Sequence, residues 1–298
     1  MSHDHPDPQA TSSGRLAATL FLNLAITVLE IVGGLLSGSL SLLSDALHNL
    51  SDALSVALTW GAMRLARRPR SGLHTYGLKR AEILAALINA VALAAITLFL
   101  FQHAIARLLH PAPVDGRMMA VVALFGLVAN VAGTLLLRAG SAHSMNVRSA
   151  YLHLLGDAAS SAAVVVGGVA IMLWRAAWLD PVLTILIGLY ILRQSVALVT
   201  EAVHVLMEGA PPELDLEALQ RLFESFPDVD DVHHVHVWTV GENDVHLIAH
   251  VNVRDMSIRE SDELRRSLEA ALSQSFDVVH ATIQVECGQC EGVGLVRE

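Results

Sequence analysis

The chain is 298 residues long, 53% hydrophobic and only 16% charged, with a mean hydropathy of +0.52. Soluble proteins hold roughly 45–50% apolar and about 25% charged residues, so lipid is the expected solvent for most of this chain. Residues 1–207 carry 13 Lys and Arg against 10 Asp and Glu, whereas 208–298 carry 6 against 19; such an acidic tail attracts cations and excludes nucleic acid as a partner, and secretion is excluded with it.

In chain order, residues 1–14 read as a short polar tail. Six apolar stretches follow, at 15–37, 41–66, 80–107, 117–138, 146–174 and 180–206, each long enough for a hydrocarbon core that needs roughly 20 helical residues. The first is not a signal peptide, because acidic MSHDHPDP precedes it where a basic segment belongs. The connection between stretches two and three carries Arg64, Arg67, Arg68, Arg70, Lys79 and Arg80, and the turn between four and five carries Arg138 and Arg148. The positive-inside rule then places both termini in the cytoplasm of a multi-pass protein, the cell (inner) membrane being the expected location. The expected domains are a six-helix membrane domain over 15–207 and a cytoplasmic domain over 208–298.

Ionisable groups at membrane depth are costly and mark pathways. Stretch two holds His48 and Asp52, and stretch five holds His153 and Asp157, within a repeated pattern of Leu, His, Leu, Asp, Ala and Ser at equal offsets. Residues i and i+4 share a helix face, so each helix offers one imidazole beside one carboxylate. Two such helices supply two nitrogens and two oxygens, a full tetrahedral shell for Zn2+. With every position filled by protein, the set holds an ion rather than activating water. The absence of thiolate argues against Cu(I), and imidazole argues against Mg and Ca; cadmium, cobalt, nickel and ferrous iron also fit. A metal-dependent enzyme within the membrane is the rival reading, but both carboxylates serve as ligands and no His-Glu-x-x-His occurs. Asp45 lines a vestibule or caps stretch two; Glu82 and Asn89 serve contacts between helices, and Gly33-Gly34 and Gly167-Gly168 permit close packing.

Beyond Pro211-Pro212 the pattern becomes helix Leu214–Phe226, strands Val232–Thr239 and Val245–Val253, helix Ser261–Phe276 and strand Val279–Glu286. This α-β-β-α-β order suits a two-layer α+β domain. Strand alternation turns Val235, Val237, Val245, Leu247, Ala249, Val251, Ile283 and Val285 toward the helices. It turns His234, His236, His246, His250, His280, Gln284 and Glu286 the other way, a face rich in metal ligands that is read as a regulatory site. Cys287 and Cys290 form half a zinc site, with His3 and His5 as candidates for its remainder.

The paired His-xxx-Asp motifs, Tyr76-Gly77-Leu78-Lys79-Arg80-Ala81-Glu82, Asp180-Pro181 and Leu206-Met207-Glu208-Gly209-Ala210-Pro211 together resemble the cation diffusion facilitator family, in its zinc-preferring branch. That resemblance implies six spans, a ferredoxin-like tail and a homodimer in lipid that exchanges a divalent cation for protons. Zn2+ would be both substrate and regulatory ligand, with no organic cofactor and no enzymatic activity. It also ranks His236, His250 and Glu286 first among tail ligands, and pairs Arg80 with Glu208 at the cytoplasmic ends of spans three and six.

Overall fold

A computed structural model of the chain describes residues 8–138, 145–241, 244–288 and 295. His3, His5 and Cys290 lie outside the described residues. Two compact units are present, one of residues 1–58 and 88–199 and the other of 59–87 and 200–298.

Six long helices come first: α1 (Pro8–Ser37), α2 (Leu40–Ala66), α3 (Ala81–Leu109), α4 (Gly116–Arg138), α5 (Met145–Trp174) and α6 (Leu179–Leu206). Their ends fall where the chain supplies breaks. Gly38 between α1 and α2 has φ +70°, which only glycine adopts without strain. Asp115 starts α4 by accepting the amides of Arg117 and Met118, both at 3.0 Å. Pro181 sits in the first turn of α6, where its missing N–H costs nothing. Among the described residues, α3, α4, α6 and Tyr151–Trp174 of α5 are long and apolar enough to cross a membrane. For α1 the apolar stretch so described is Asn23–Ser37. The α2 helix matches the others in length and differs in carrying Asp45, His48, Asn49 and Asp52.

The helices of the first unit share a core of Leu42, Met119, Val122, Ala123, Val164, Ile171, Ile187 and Ile191, drawn from α2, α4, α5 and α6. Small residues allow the backbones to approach. A methyl on Gly168 would lie 2.7 Å from the Ala120 amide, and one on Gly33 would lie 2.7 Å from Val122. The glycine pairs therefore serve packing, as their spacing suggests.

In the second unit, α7 (Leu216–Glu224), β1 (Val229–Thr239), β2 (Val245–Val253), α8 (Ile258–Phe276) and β3 (Val278–Glu286) form the α+β layer pair. Strand order is β1-β2-β3, with β1 antiparallel and β3 parallel to β2. Leu219 and Phe223 of α7 and Leu264, Leu268 and Leu272 of α8 pack on the valine face of the sheet. The alternation expected from sequence holds on that face: Val235, Val237, Leu247, Ala249, Val251 and Ile283 are all buried. It breaks at the start of β3, where Val278 is buried and Val279 exposed, and within β1. The β1 register slips between His233 and His236, where His234 has φ +49°; this β-bulge puts Val232 into the core although it is an even position.

Within the same unit, the segment after α2 is tied to the acidic layer. Lys79 pairs with Asp244, Tyr76 meets the His246 ring edge-on at 5.3 Å, and Arg80 Nη2 lies 3.2 Å from Glu208 Oε1. The last is the ion pair that the family resemblance implies.

Candidate metal centre

The helix period brings His48 and Asp52 onto one face of α2, and His153 and Asp157 onto one face of α5, and the two faces meet. His48 Nε2 lies 3.8 Å from Asp52 Oδ2 and 3.5 Å from Asp157 Oδ1. His153 Nε2 lies 3.2 Å from Asp52 Oδ2 and 3.5 Å from Asp157 Oδ2. Each imidazole thus faces the carboxylate of its own helix and that of the other. A tetrahedral zinc with ligands at about 2.1 Å would set neighbouring ligand atoms about 3.4 Å apart, and the four nitrogen–oxygen separations bracket that figure. His48, Asp52 and Asp157 place ligand atoms within 4.8 Å of one another, and His153 stands outside that closer grouping. The rings stand 5.9 Å apart, edge to face. His48 Nε2 and Asp52 Oδ2 are buried atoms without a hydrogen-bond partner, which is costly unless a cation completes them. The site is lopsided: the His48 and Asp157 side chains are 5% and 8% exposed, against 28% for Asp52 and 42% for His153.

A buried polar layer supports these groups. Asp45, one turn before His48, accepts hydrogen bonds from the hydroxyls of Ser160 and Ser161 on α5, the second at 3.0 Å. It therefore joins α2 to α5 beside the metal groups, and capping of α2 falls elsewhere. Asn49 donates to Glu30 on α1 at 2.9 Å, and Gly126 on α4 leaves room for that carboxylate, since a methyl there would stand 2.3 Å from Glu30 Oε1. Asn89 donates to Ser51 and Ser55 at 2.9 and 2.6 Å, an interhelical contact as expected. Ser160 closes the repeated pattern read from the sequence, though its bond to Asp45 was not foreseen; Ser161 escaped sequence reasoning, its spacing from Asp157 on α5 being the available signal.

A second grouping lies on the polar face of the sheet, where His233, His234 and His250 place ligand atoms within 4.8 Å of one another. Glu286 Oε1 is 2.8 Å from His250 Nδ1, and its Oε2 is 3.4 Å from His233 Nε2. Asp231 accepts from His233 Nδ1 at 3.0 Å, which leaves the Nε2 lone pair available to a metal ion beside Glu286. Burial pushes the Glu286 carboxyl up, but the Gln284 hydrogen bond and the rings of His250 and His233 more than offset it, so it stays below the usual carboxylate range. His250 and Glu286 thus come together. His236 does not join them: beyond the bulge it is exposed and pairs opposite Ile248. The bulge substitutes His233, an odd position that regular alternation had turned inward. Cys287 is exposed.

The comparison with known proteins covers almost the whole chain. Residues 16–207 match the cation efflux transmembrane domain, and residues 211–287 match the cation efflux protein cytoplasmic domain. The chain belongs to the cation efflux family. It is 39% identical over 293 residues to the zinc transporter ZitB of Pectobacterium atrosepticum, covering 98% of this chain and 91% of that protein. It is 34% identical over 290 residues to the metal cation efflux system protein CzcD of Cupriavidus metallidurans, covering 97% and 90%. The cadmium, cobalt and zinc/H(+)-K(+) antiporter of Bacillus subtilis is 32% identical over 289 residues, covering 96% and 92%. As a cation efflux protein the chain is a multi-pass membrane transporter rather than an enzyme, with a helical membrane domain and a small α+β domain after it.

Proposed function

We propose that this transporter exports Zn2+ from the cytoplasm in exchange for protons, with the ion held by His48, Asp52, His153 and Asp157. The observation that carries the reading is the crossed set of four nitrogen–oxygen separations, 3.2 to 3.8 Å, between α2 and α5. Imidazole and carboxylate bind a metal only when deprotonated, and histidine titrates in the physiological range, so proton uptake from outside displaces the metal and metal uptake from inside displaces protons. The more exposed Asp52 and His153 form the side by which the ion enters. Cadmium and cobalt, which the Bacillus subtilis antiporter is named for, suit the same donors.

The transport domain is assigned to 15–207 and the cytoplasmic domain to 208–298, both termini lying in the cytoplasm at the inner membrane, with two chains associating as a homodimer. His233, His234, His250 and Glu286 are assigned as a regulatory zinc site in the tail, and Cys287 and Cys290 with His3 and His5 as a further one. Purified protein in liposomes is expected to accumulate zinc against an imposed pH gradient, and His153→Ala to reduce uptake by about 100-fold, because one of the four zinc ligands is lost. Uptake by His153→Ala at the parental rate removes the assigned site.

A further inference from the structure

The start of α2 is held by a carboxylate from another helix. Asp180 of α6 is fully buried. It accepts from the Ser39 and Ser41 hydroxyls at 2.6 and 2.7 Å and from the Leu40 and Ser41 amides at 2.9 and 3.1 Å. Arg107 of α3 lies 3.6 Å from it and also donates to the Gly38 carbonyl. The ends of α1, α2, α3 and α6 are thereby gathered at one anion, and Asp115, before α4, adds a bond from its amide to the Ser37 carbonyl at 2.9 Å.

Helix stability alone does not require this. Ser39 already caps α2 from within the chain, its hydroxyl oxygen accepting the Leu42 amide at 3.1 Å. What Asp180 adds is attachment. Its effect shows along α2: Ser39, Leu40, Ser41, Leu42, Ser44, Asp45 and Ala46 are no more than 5% exposed, whereas Leu54, Val56 and Leu58, past the metal groups, are 40–55% exposed. The metal groups are sealed at the Asp180 end, which the charge distribution assigns to the outside, and His48 lies only about 12 Å of helix from Leu40.

We propose that Asp180 is a positioning residue for transport, a clamp on α2 that keeps the metal site shut toward the outside and whose release opens it there. The proposal rests on the transport reading above. With the clamp closed, the helix dipole of α2 and four donors all favour attachment; outward release of the ion then requires the start of α2 to leave Asp180, with the serines and amides turning to water.

The test places a reporter, Ser44→Cys, in a chain whose Cys287 and Cys290 are serines. Ser44 is 1% exposed and one turn before His48. In proteoliposomes a membrane-impermeant maleimide is applied to each side separately. Asp180→Asn is expected to raise labelling from the outside at least about tenfold, the scale of losing one charge-assisted hydrogen bond. Ser41→Ala, which leaves the Ser39 cap intact, is expected to raise it about threefold and decides the matter should Asp180→Asn not fold. Both should raise the zinc KM from the inside more than they lower kcat, because fewer molecules present an inward-open site. Parental labelling rates in the folded variants overturn the clamp, even where their melting temperature falls. Increased labelling in the variants, together with a parent protein that exchanges no protons for zinc, sustains the clamp and removes the antiport reading instead.

Discussion

The two groupings of candidate metal ligands differ in what surrounds them. In the membrane domain, two donors are covered and two are 28% and 42% exposed, and among the described residues each ring faces the carboxylates that the ion itself would bind. In the tail, His233 is fully buried and its far nitrogen is bonded to Asp231, so its orientation is fixed before any ion arrives. A cargo site must surrender its ion at each turnover, and an open side with loosely held ligands lowers the cost of doing so. A resident site benefits from preorganised ligands and no exit. On the proposed reading, the first grouping is a place of passage and the second a place of residence.

The sharpest test of that difference compares neighbouring histidines. His233→Ala should remove one equivalent of tightly bound zinc per chain and destabilise the tail by about 2–4 kcal/mol, since it empties a buried site and strands Asp231. Zinc transport at saturating metal should stay within about threefold. His236→Ala, at an exposed position, should leave metal content unchanged and shift stability by less than about 0.5 kcal/mol. Metal analysis by mass spectrometry and a melting curve of each purified full-length variant supply the check; equal metal loss in both would return His236 to the ligand set and dissolve the distinction.

These histidines also show where sequence reading stops. On helices the period is unbroken, so an i, i+4 pair in each of two apolar stretches was enough to place His48, Asp52, His153 and Asp157 on facing surfaces. In the sheet, alternation ran true along β2, where His246 and His250 share a face, but it miscounted β1. The warning was present in Val232-His-His-Val235, a spacing of three between core valines where a regular strand allows two. An extra residue inverts the phase of everything before it, which is how His233 took the place that His236 was expected to fill. Contacts such as Asp180 with Ser39 and Ser41 were beyond reach for a different reason: they join residues more than a hundred positions apart, and no local period reports them.

A milder perturbation asks whether the tail's stability matters to transport at all. α8 begins with a capping box, in which the Ser257 hydroxyl oxygen accepts the Glu260 amide at 3.4 Å and Glu260 Oε2 accepts the Ser257 amide at 2.8 Å. Ser257→Ala should destabilise the tail by about 1 kcal/mol while zinc flux into liposomes stays at the parental value. A parallel fall in flux would show that the tail does more than hold a regulatory ion.

The smallest expected effect concerns acid. His246 on β2 packs against Tyr76 and Trp238, with ring centroids at 5.3 and 5.6 Å. Burial lowers its pKa below 6.5; Asp244 opposes the shift, and His280, Lys79 and Arg70 reinforce it. The unfolded chain therefore binds this proton more readily than the folded one. The stability contributed by a neutral His246 is complete above pH of about 6.5 and is lost as the pH falls through that value toward the lowered one. His246→Gln cannot take up the proton, so its melting temperature should decline less steeply between pH 7.5 and 5.5 than that of the parent. Identical acid limbs would mean that the docked Tyr76–His246 pair does not feel protonation, and that the contact holding the segment after α2 is as indifferent to pH as the transport site, on the proposed reading, is governed by it.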